Sequence, residues 1–188
     1  MDQAMARRTG GGLIIPEQIM RTGACLLQNF ILDQVRQAGG PVFEMSQDAG
    51  IKMLVQILKN ITQDLDNNKE MQRLIVSVKD KVCTVAVFFQ VANQLISEGI
   101  TWSRVAALFY FASKLVLQAL HSGMPEQIAS IMHWTLDFLR ERLLEWIQEQ
   151  GGWDGLVNKY NDKFKWLTVA MTIGTCAFFL IRRLANLG

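Results

Sequence analysis

The residues in this chain that could do chemistry are few, and their spacing argues against catalysis. Asp64 and Asp66 lie close together, but Leu58, Ile61 and Leu65 recur around them at helical intervals. These neighbours mark an exposed amphipathic helix, so the two acids do not form a catalytic pair. His121 and His133 lack partners at ligand spacing, so ordinary surface histidines are expected and no metal. Cys25, Cys83 and Cys176 are odd in number, far apart and without a Cys-x-x-Cys pair. Neither a zinc site nor a disulfide framework follows, and a reduced, cytosol-facing location fits. No Gly-rich phosphate loop, nucleophile motif or acid–base constellation is present. An enzyme is therefore excluded at this level, and no cofactor is implied. The net charge of +2 over 188 residues is too small for a nucleic-acid partner.

The stronger pattern is apolar. Half of the residues are hydrophobic and 19% are charged, more apolar than an ordinary soluble domain. Residues 1–15 are Gly-rich and are expected to be disordered. Pro16 and Glu17 open a helix that places Ile19, Gly23, Leu26, Leu27 and Phe30 on one stripe and ends near Ala38. After a loop, Asp48 suits an N-cap. The helix that follows, expected over 51–67, carries Leu54, Leu58, Ile61 and Leu65 as a ridge. Shorter helices are expected over 70–78 and 84–97, the latter closed by Gly99.

Two segments then dominate. Residues 105–120 read VAALFYFASKLVLQAL, interrupted only by Ser113, Lys114 and Gln118; a helix apolar nearly all round belongs at the centre of a bundle. After Ser122-Gly123 and Pro125, a helix over 126–150 sets Ile128, Ile131, Met132, Leu136, Leu139 and Leu143 against Asp137, Arg140, Glu141 and Glu145. The Arg140-Glu141-Arg142 run reads as a solvated face. Trp134, Trp146 and Trp153, beside leucines at helical spacing, read as core residues.

Residues 166–181 (WLTVAMTIGTCAFFLI) hold no charge and include Trp166, Ile173, Phe178, Phe179 and Ile181. Lys163 and Lys165 precede them; Arg182 and Arg183 follow. At about 1.5 Å per residue the run spans roughly 24 Å, somewhat under a hydrocarbon core of ~30 Å. Leu184 and snorkelling arginines extend it, so 166–184 is expected to be a C-terminal membrane anchor. The expected fold is all-α. Eight or nine helices over 16–160 form one globular domain around a central apolar hairpin, followed by the transmembrane tail.

Three runs carry a family resemblance: EQIMRTGACLLQNFI (17–31), RVAALFYFASKLVLQAL (104–120) and WTLDFLRERLLEWIQEQGGWDGL (134–156). Together, in order and spacing, they resemble the B-cell-lymphoma-2 family, and within it the pore-forming pro-apoptotic members. The resemblance implies a surface groove and three homology motifs. The first is Thr101-Trp102-Ser103-Arg104, where the family usually has Asn-Trp-Gly-Arg; Thr101 can still cap the helix. In the family the arginine lies in the groove and pairs with an aspartate of an incoming helix. The second motif includes Trp146, Gly151, Gly152, Trp153 and Asp154. The third, the helix that enters grooves, comprises Leu54, Leu58, Ile61, Thr62, Gln63, Asp64 and Leu65. Here Thr62 replaces a small residue and Gln63 stands where aspartate is expected. Asp64 comes one position later, about 100° round the helix. The pore-forming members also receive an activator helix on a rear surface between the first and sixth helices. Arg21 keeps a basic residue there, and Ala129 replaces an arginine.

The resemblance implies a cytoplasmic protein that relocates to the mitochondrial outer membrane, contacts its lipids, oligomerises with itself and releases cytochrome c. Further implied partners are activator helices and guardian members of the family. Two alternatives stay open because of Gln63: a guardian-type module that sequesters activator helices, and a relative impaired in pore formation.

Overall fold

A computed structural model describes residues 15–79 and 83–160. Pro16 at the first turn, with Glu17 beside it, starts α1 (Pro16–Gln37), which buries Ile19, Leu26, Leu27, Phe30 and Val35 along one stripe. Residues 38–48 return the chain to α2 (Ala49–Thr62). Asp48 caps α2 by accepting a 2.8 Å bond from the Ile51 N–H.

The sequence predicts this helix to run on to about residue 67. Instead α2 stops at Thr62 and tightens into a 3₁₀ turn over Gln63–Asn67. Two contacts account for the change. The Thr62 hydroxyl donates back to the Leu58 carbonyl at 2.9 Å, which perturbs the helical ladder. Asp66 is drawn sideways to Tyr110 and Lys114. Leu65 still reaches the core from the tightened turn.

Asn68 accepts from the Met71 N–H at the start of α3 (Lys69–Lys79). Thr84 caps α4 (Val85–Leu95). The core helix α5 (Trp102–His121) follows, then α6 (Glu126–Phe138). The single helix predicted over 126–150 is widened by a π turn at Leu139–Leu143 before α7 (Leu144–Glu149). The widening turns both Leu139 and Leu143 fully inward. Finally α8 (Asp154–Tyr160) follows a turn at Gly151 and Gly152, whose φ values are +90° and +73°.

The architecture is all-helical, with no strand among the described residues. α5 is the axis: α1, α2, α3, α4 and α6 all pack on it. Aromatic rings pack against its middle and its N-terminal end. Phe88 of α4 stands 6.0 Å from Phe111 and 5.9 Å from Trp134. Trp102 meets Trp146 at 4.9 Å and Trp153 at 5.7 Å. All three tryptophans therefore pack against core aromatic rings. By length and composition α5 could cross a membrane, but most of it is buried within the bundle. The expected anchor, including Trp166, Ile173, Phe178, Phe179, Ile181, Arg182 and Arg183, lies outside the described residues. So do residues 1–14.

Candidate functional site

Two neighbouring regions carry the candidate site: α2 with its 3₁₀ turn, and the corner where α4 leads into α5. The ridge on α2 faces inward, against α1, α5 and α8. Leu54, Leu58, Ile61 and Leu65 are all buried, Leu58 completely. Thr62 is buried too, its hydroxyl satisfied by the Leu58 carbonyl. Gln63 and Asp64 point away from the ridge and are exposed. In this conformation the third motif is thus turned into its own bundle, with only its polar edge outside.

Polar ties hold the C-terminal part of that helix. In its last turn, Lys59 Nζ lies 3.1 Å from the buried carboxylate of Asp33 on α1, which Arg36 also contacts at 2.6 Å. Beyond its C-terminus, Asp66 accepts from the Tyr110 hydroxyl at 2.8 Å and from Lys114 Nζ at 2.6 Å. Gln72 of α3 donates to the same tyrosine oxygen at 3.3 Å, and Lys114 sits over the Tyr110 ring. Burial, reinforced by the Asp66 carboxylate, holds the Tyr110 phenol well above its ordinary pKa.

At the corner, Thr101 is exposed and caps α5, accepting from the Arg104 N–H at 3.3 Å. Trp102 is buried in the tryptophan cluster. Ser103 lies 3.4 Å from the Tyr160 hydroxyl of α8, whose pKa burial raises. Arg104 is 8% exposed. It donates through Nη1 to the Gly99 carbonyl at 2.6 Å, and Nη2 stands 3.3 Å from the Glu98 carboxylate. Gly99 makes this possible: its φ of +112° is a conformation that a side chain would strain.

The remaining expected residues divide. Trp153 is buried and donates through Nε1 to the Ile19 carbonyl of α1 at 2.9 Å. It also fills the space beside Gly23, where a Cβ would stand 3.2 Å from Trp153 Cζ2. Trp146 is half-buried, Gly152 is buried within the turn, and Asp154 is exposed. Arg140, Glu141 and Arg142 are all exposed. Exposed His133 lies 3.2 Å from Asp137, a surface pairing rather than a ligand set. A cleft of about 510 Å³ lies between α1, the start of α2 and the Gly151–Asp154 turn, and Arg21 lines it. Ala129 is exposed on α6 and does not line that cleft.

Sequence reasoning did not find the Asp33–Lys59 tie, the Asp66–Tyr110–Lys114 cluster or the Glu98–Arg104 pair. One signal was present: Lys114 and Gln118 interrupt an otherwise apolar helix, and a buried polar residue needs a partner.

Among the described residues no group of three or more His, Cys, Asp or Glu could hold a metal ion. A helical bundle with an inward amphipathic helix, an apolar axis and a capped arginine corner defines the class. The sequence agrees: the family described as "Apoptosis regulator proteins, Bcl-2 family" matches residues 58–153. The chain belongs to the Bcl-2 family and is an apoptosis regulator, a class whose members are not enzymes. Within the family it is similar to "Apoptosis regulator BAX" of Bos taurus and of Homo sapiens, each 50% identical over 92% of both chains. "Bcl-2-like protein 1" of Rattus norvegicus is 36% identical over 40% of this chain and 32% of its own length. Among solved structures, chicken BOK shares the fold, with a TM-score of 0.69 at 18% identity over 77% of this chain and 98% of its own. Trichoplax adhaerens trBcl-2L2, solved bound to trBak BH3, gives a TM-score of 0.64 at 25% identity over 74% of this chain and 97% of its own.

Proposed function

We propose that this chain is a pro-apoptotic effector that relocates from the cytoplasm to the mitochondrial outer membrane, oligomerises there and permeabilises it to cytochrome c. The observation that carries this reading is the α2 ridge, sealed inside its own bundle while its polar edge faces water. Four such side chains, at about 1.5–3 kcal/mol each, represent about 6–12 kcal/mol of burial. That is comparable to the net stability of a whole domain, about 5–15 kcal/mol. The ridge therefore leaves only when another apolar surface receives it. In this reading the receiving surfaces are the groove of a second copy and the lipid. The helices from Trp102 to Glu149 then lie in the membrane surface, with Leu136, Leu139 and Leu143 toward lipid and Arg140-Glu141-Arg142 toward water. The segment 166–184 anchors the assembly.

The near full-length likeness to BAX supports the effector role. The Trichoplax relative's complex with a BH3 segment supports a groove that takes helices from activator and guardian members of the family. Liposomes of mitochondrial outer-membrane composition test the proposal. An activator helix should trigger dye release by the full chain and much less by a chain ending at residue 165. A protein that stays monomeric and leaves the vesicles sealed refutes it.

Gln63 favours a second reading, a guardian-type module, because a weak third motif is tolerable in a protein that only captures helices. Under that reading the chain blocks release by another effector. If the chain is instead an impaired pore former, Gln63→Asp raises its release sharply.

A further inference from the structure

We propose that Ser46 is a phosphorylation site, and that a basic cavity between α1 and α2 holds its phosphate and clamps the third motif inside the bundle. The site stands on the geometry of this loop; its effect on membrane release rests on the proposed function.

Ser46 lies two residues before the cap of α2, in a stretch with neither helix nor strand. The chain just upstream is open to solvent, with Val42 79% and Phe43 51% exposed. An exposed, extended segment is what a modifying enzyme can draw into its own groove. Glu44 and Asp48 flank the serine, which suits a protein kinase whose peptide groove is basic. Ser46 Oγ accepts a 3.2 Å bond from the Asp48 N–H at the surface, and a second lone pair remains for attack. In the transfer, Oγ bonds to the γ-phosphorus of the kinase's nucleoside triphosphate. The bond from that phosphorus to the β–γ bridging oxygen breaks, the nucleoside diphosphate leaves, and the hydroxyl proton passes to the kinase's base.

What the fold adds is a place for the product. The Ser46 N–H donates at 2.7 Å to Oδ1 of Asn29, a buried residue of α1. The Asn29 amide is itself anchored on the Cys25 carbonyl at 2.7 Å. The serine is thereby held on the wall of a cavity of about 340 Å³ between α1 and α2, which Arg36, Lys52 and Lys59 also line. Lys52 folds back over the loop, its Nζ donating at 2.8 Å to Oε1 of Gln47, the residue next to the serine. The lining contains one carboxylate, Asp33, so three cations face a single acid. A phosphoserine brings a charge of about −1.5 to −2 and three strong acceptor oxygens. The three cations can serve both anions, so Asp33 keeps Arg36 and Lys59. Bonded to lysines of α2 while its own backbone is pinned to α1, the phosphate ties the two helices together and holds the apolar ridge in place.

Three measurements test this. The full chain isolated from cells treated with a phosphatase inhibitor should carry phosphate on Ser46 by mass spectrometry; its absence there overturns the site. The full chain with genetically encoded phosphoserine at position 46 tests the cavity. In phosphorus NMR its second proton should leave about one pH unit lower than in a free phosphopeptide of residues 42–50, because the cations favour the dianion. Lys52→Gln should return much of that difference and Lys52→Arg should keep it. A midpoint equal to that of the peptide overturns the cavity as the holder. On vesicles of mitochondrial composition, the phosphorylated chain should need about tenfold more activator helix for half-maximal dye release than the unmodified chain. Equal demand with release intact overturns the clamp and leaves the effector reading standing. Release from neither form removes the effector reading and the clamp with it, while the NMR midpoint still decides the phosphate site.

Discussion

The two helices of the central hairpin, α5 and α6, pack on one another yet meet their surroundings in opposite ways. Apolar residues bury α5 on nearly every side, and each polar interruption is tied down. Ser113 donates to the Tyr110 carbonyl at 2.6 Å, Lys114 to Asp66, and Gln118 to the Ile75 carbonyl of α3 at 3.2 Å. In α6 only Ile131, Thr135 and Phe138 are fully buried, while Ala129 and His133 face water. The lesson is that α6 can exchange its outer face for another environment at little cost, whereas α5 must give up both apolar burial and polar ties. Lipid or a second copy must replace what α5 loses; α6 mainly has to turn.

Truncation of the apolar contacts should break that contrast most severely. Phe109→Ala in α5 should lower the unfolding free energy by about 3–5 kcal/mol, whereas Leu136→Ala on the half-buried side of α6 should lower it by roughly 1 kcal/mol. Urea denaturation measures both, and equal losses would erase the distinction. The polar ties come next. Tyr110→Phe removes the bond to Asp66 and should destabilise the fold by about 1 kcal/mol. Lys114→Ala should cost no more than about 1 kcal/mol, since the Asp66 side chain is 52% exposed and well screened. Because it loosens the turn that closes the third motif, it should also speed vesicle release.

Alkaline titration sharpens the same tie. The Tyr110 pKa in the fold lies above its ordinary value of about 10. Its contribution to stability is therefore complete below pH about 10 and lost as pH rises beyond that. Tyr110→Phe should make the alkaline fall in melting temperature shallower; an unchanged slope would show that the phenol does not matter there. The smallest effect belongs to the outer face of the hairpin. Arg140→Ala should move stability by less than about 0.5 kcal/mol in urea titration.

Much of this molecule is legible from local pattern. The ridge of Leu54, Leu58, Ile61 and Leu65, the cap at Asp48 and the breaks at Gly99 and Pro125 all follow from spacing and backbone preference within a few residues. What escapes is whatever depends on distant partners. The end of α2 moves because Asp66 meets Tyr110 and Lys114, 44 and 48 residues away. Asp64 and Asp66 look alike in sequence as two acids on an exposed amphipathic helix. Only the fold separates them: Asp66 becomes the joint between α5 and the turn, and no such tie to α5 forms at Asp64. The π turn at Leu139–Leu143 escapes for a similar reason, since its apolar spacing suits an ordinary helix as well. At the corner, the first-motif arginine is plain in the sequence. Its pairing with Glu98 depends on the left-handed turn at Gly99, which residue types alone do not orient.

The bond from Trp153 to the Ile19 carbonyl joins residues 134 positions apart. During synthesis α1 emerges ahead of the residues that fill the space beside Gly23, the Trp153 indole and the Leu139 side chain. Until that ring arrives, the apolar stripe of the first helix has no lid at this end, and closure of the bundle must trail translation of most of the chain. The last contact to close this end of the first helix is thus supplied by a residue made near the end of the bundle.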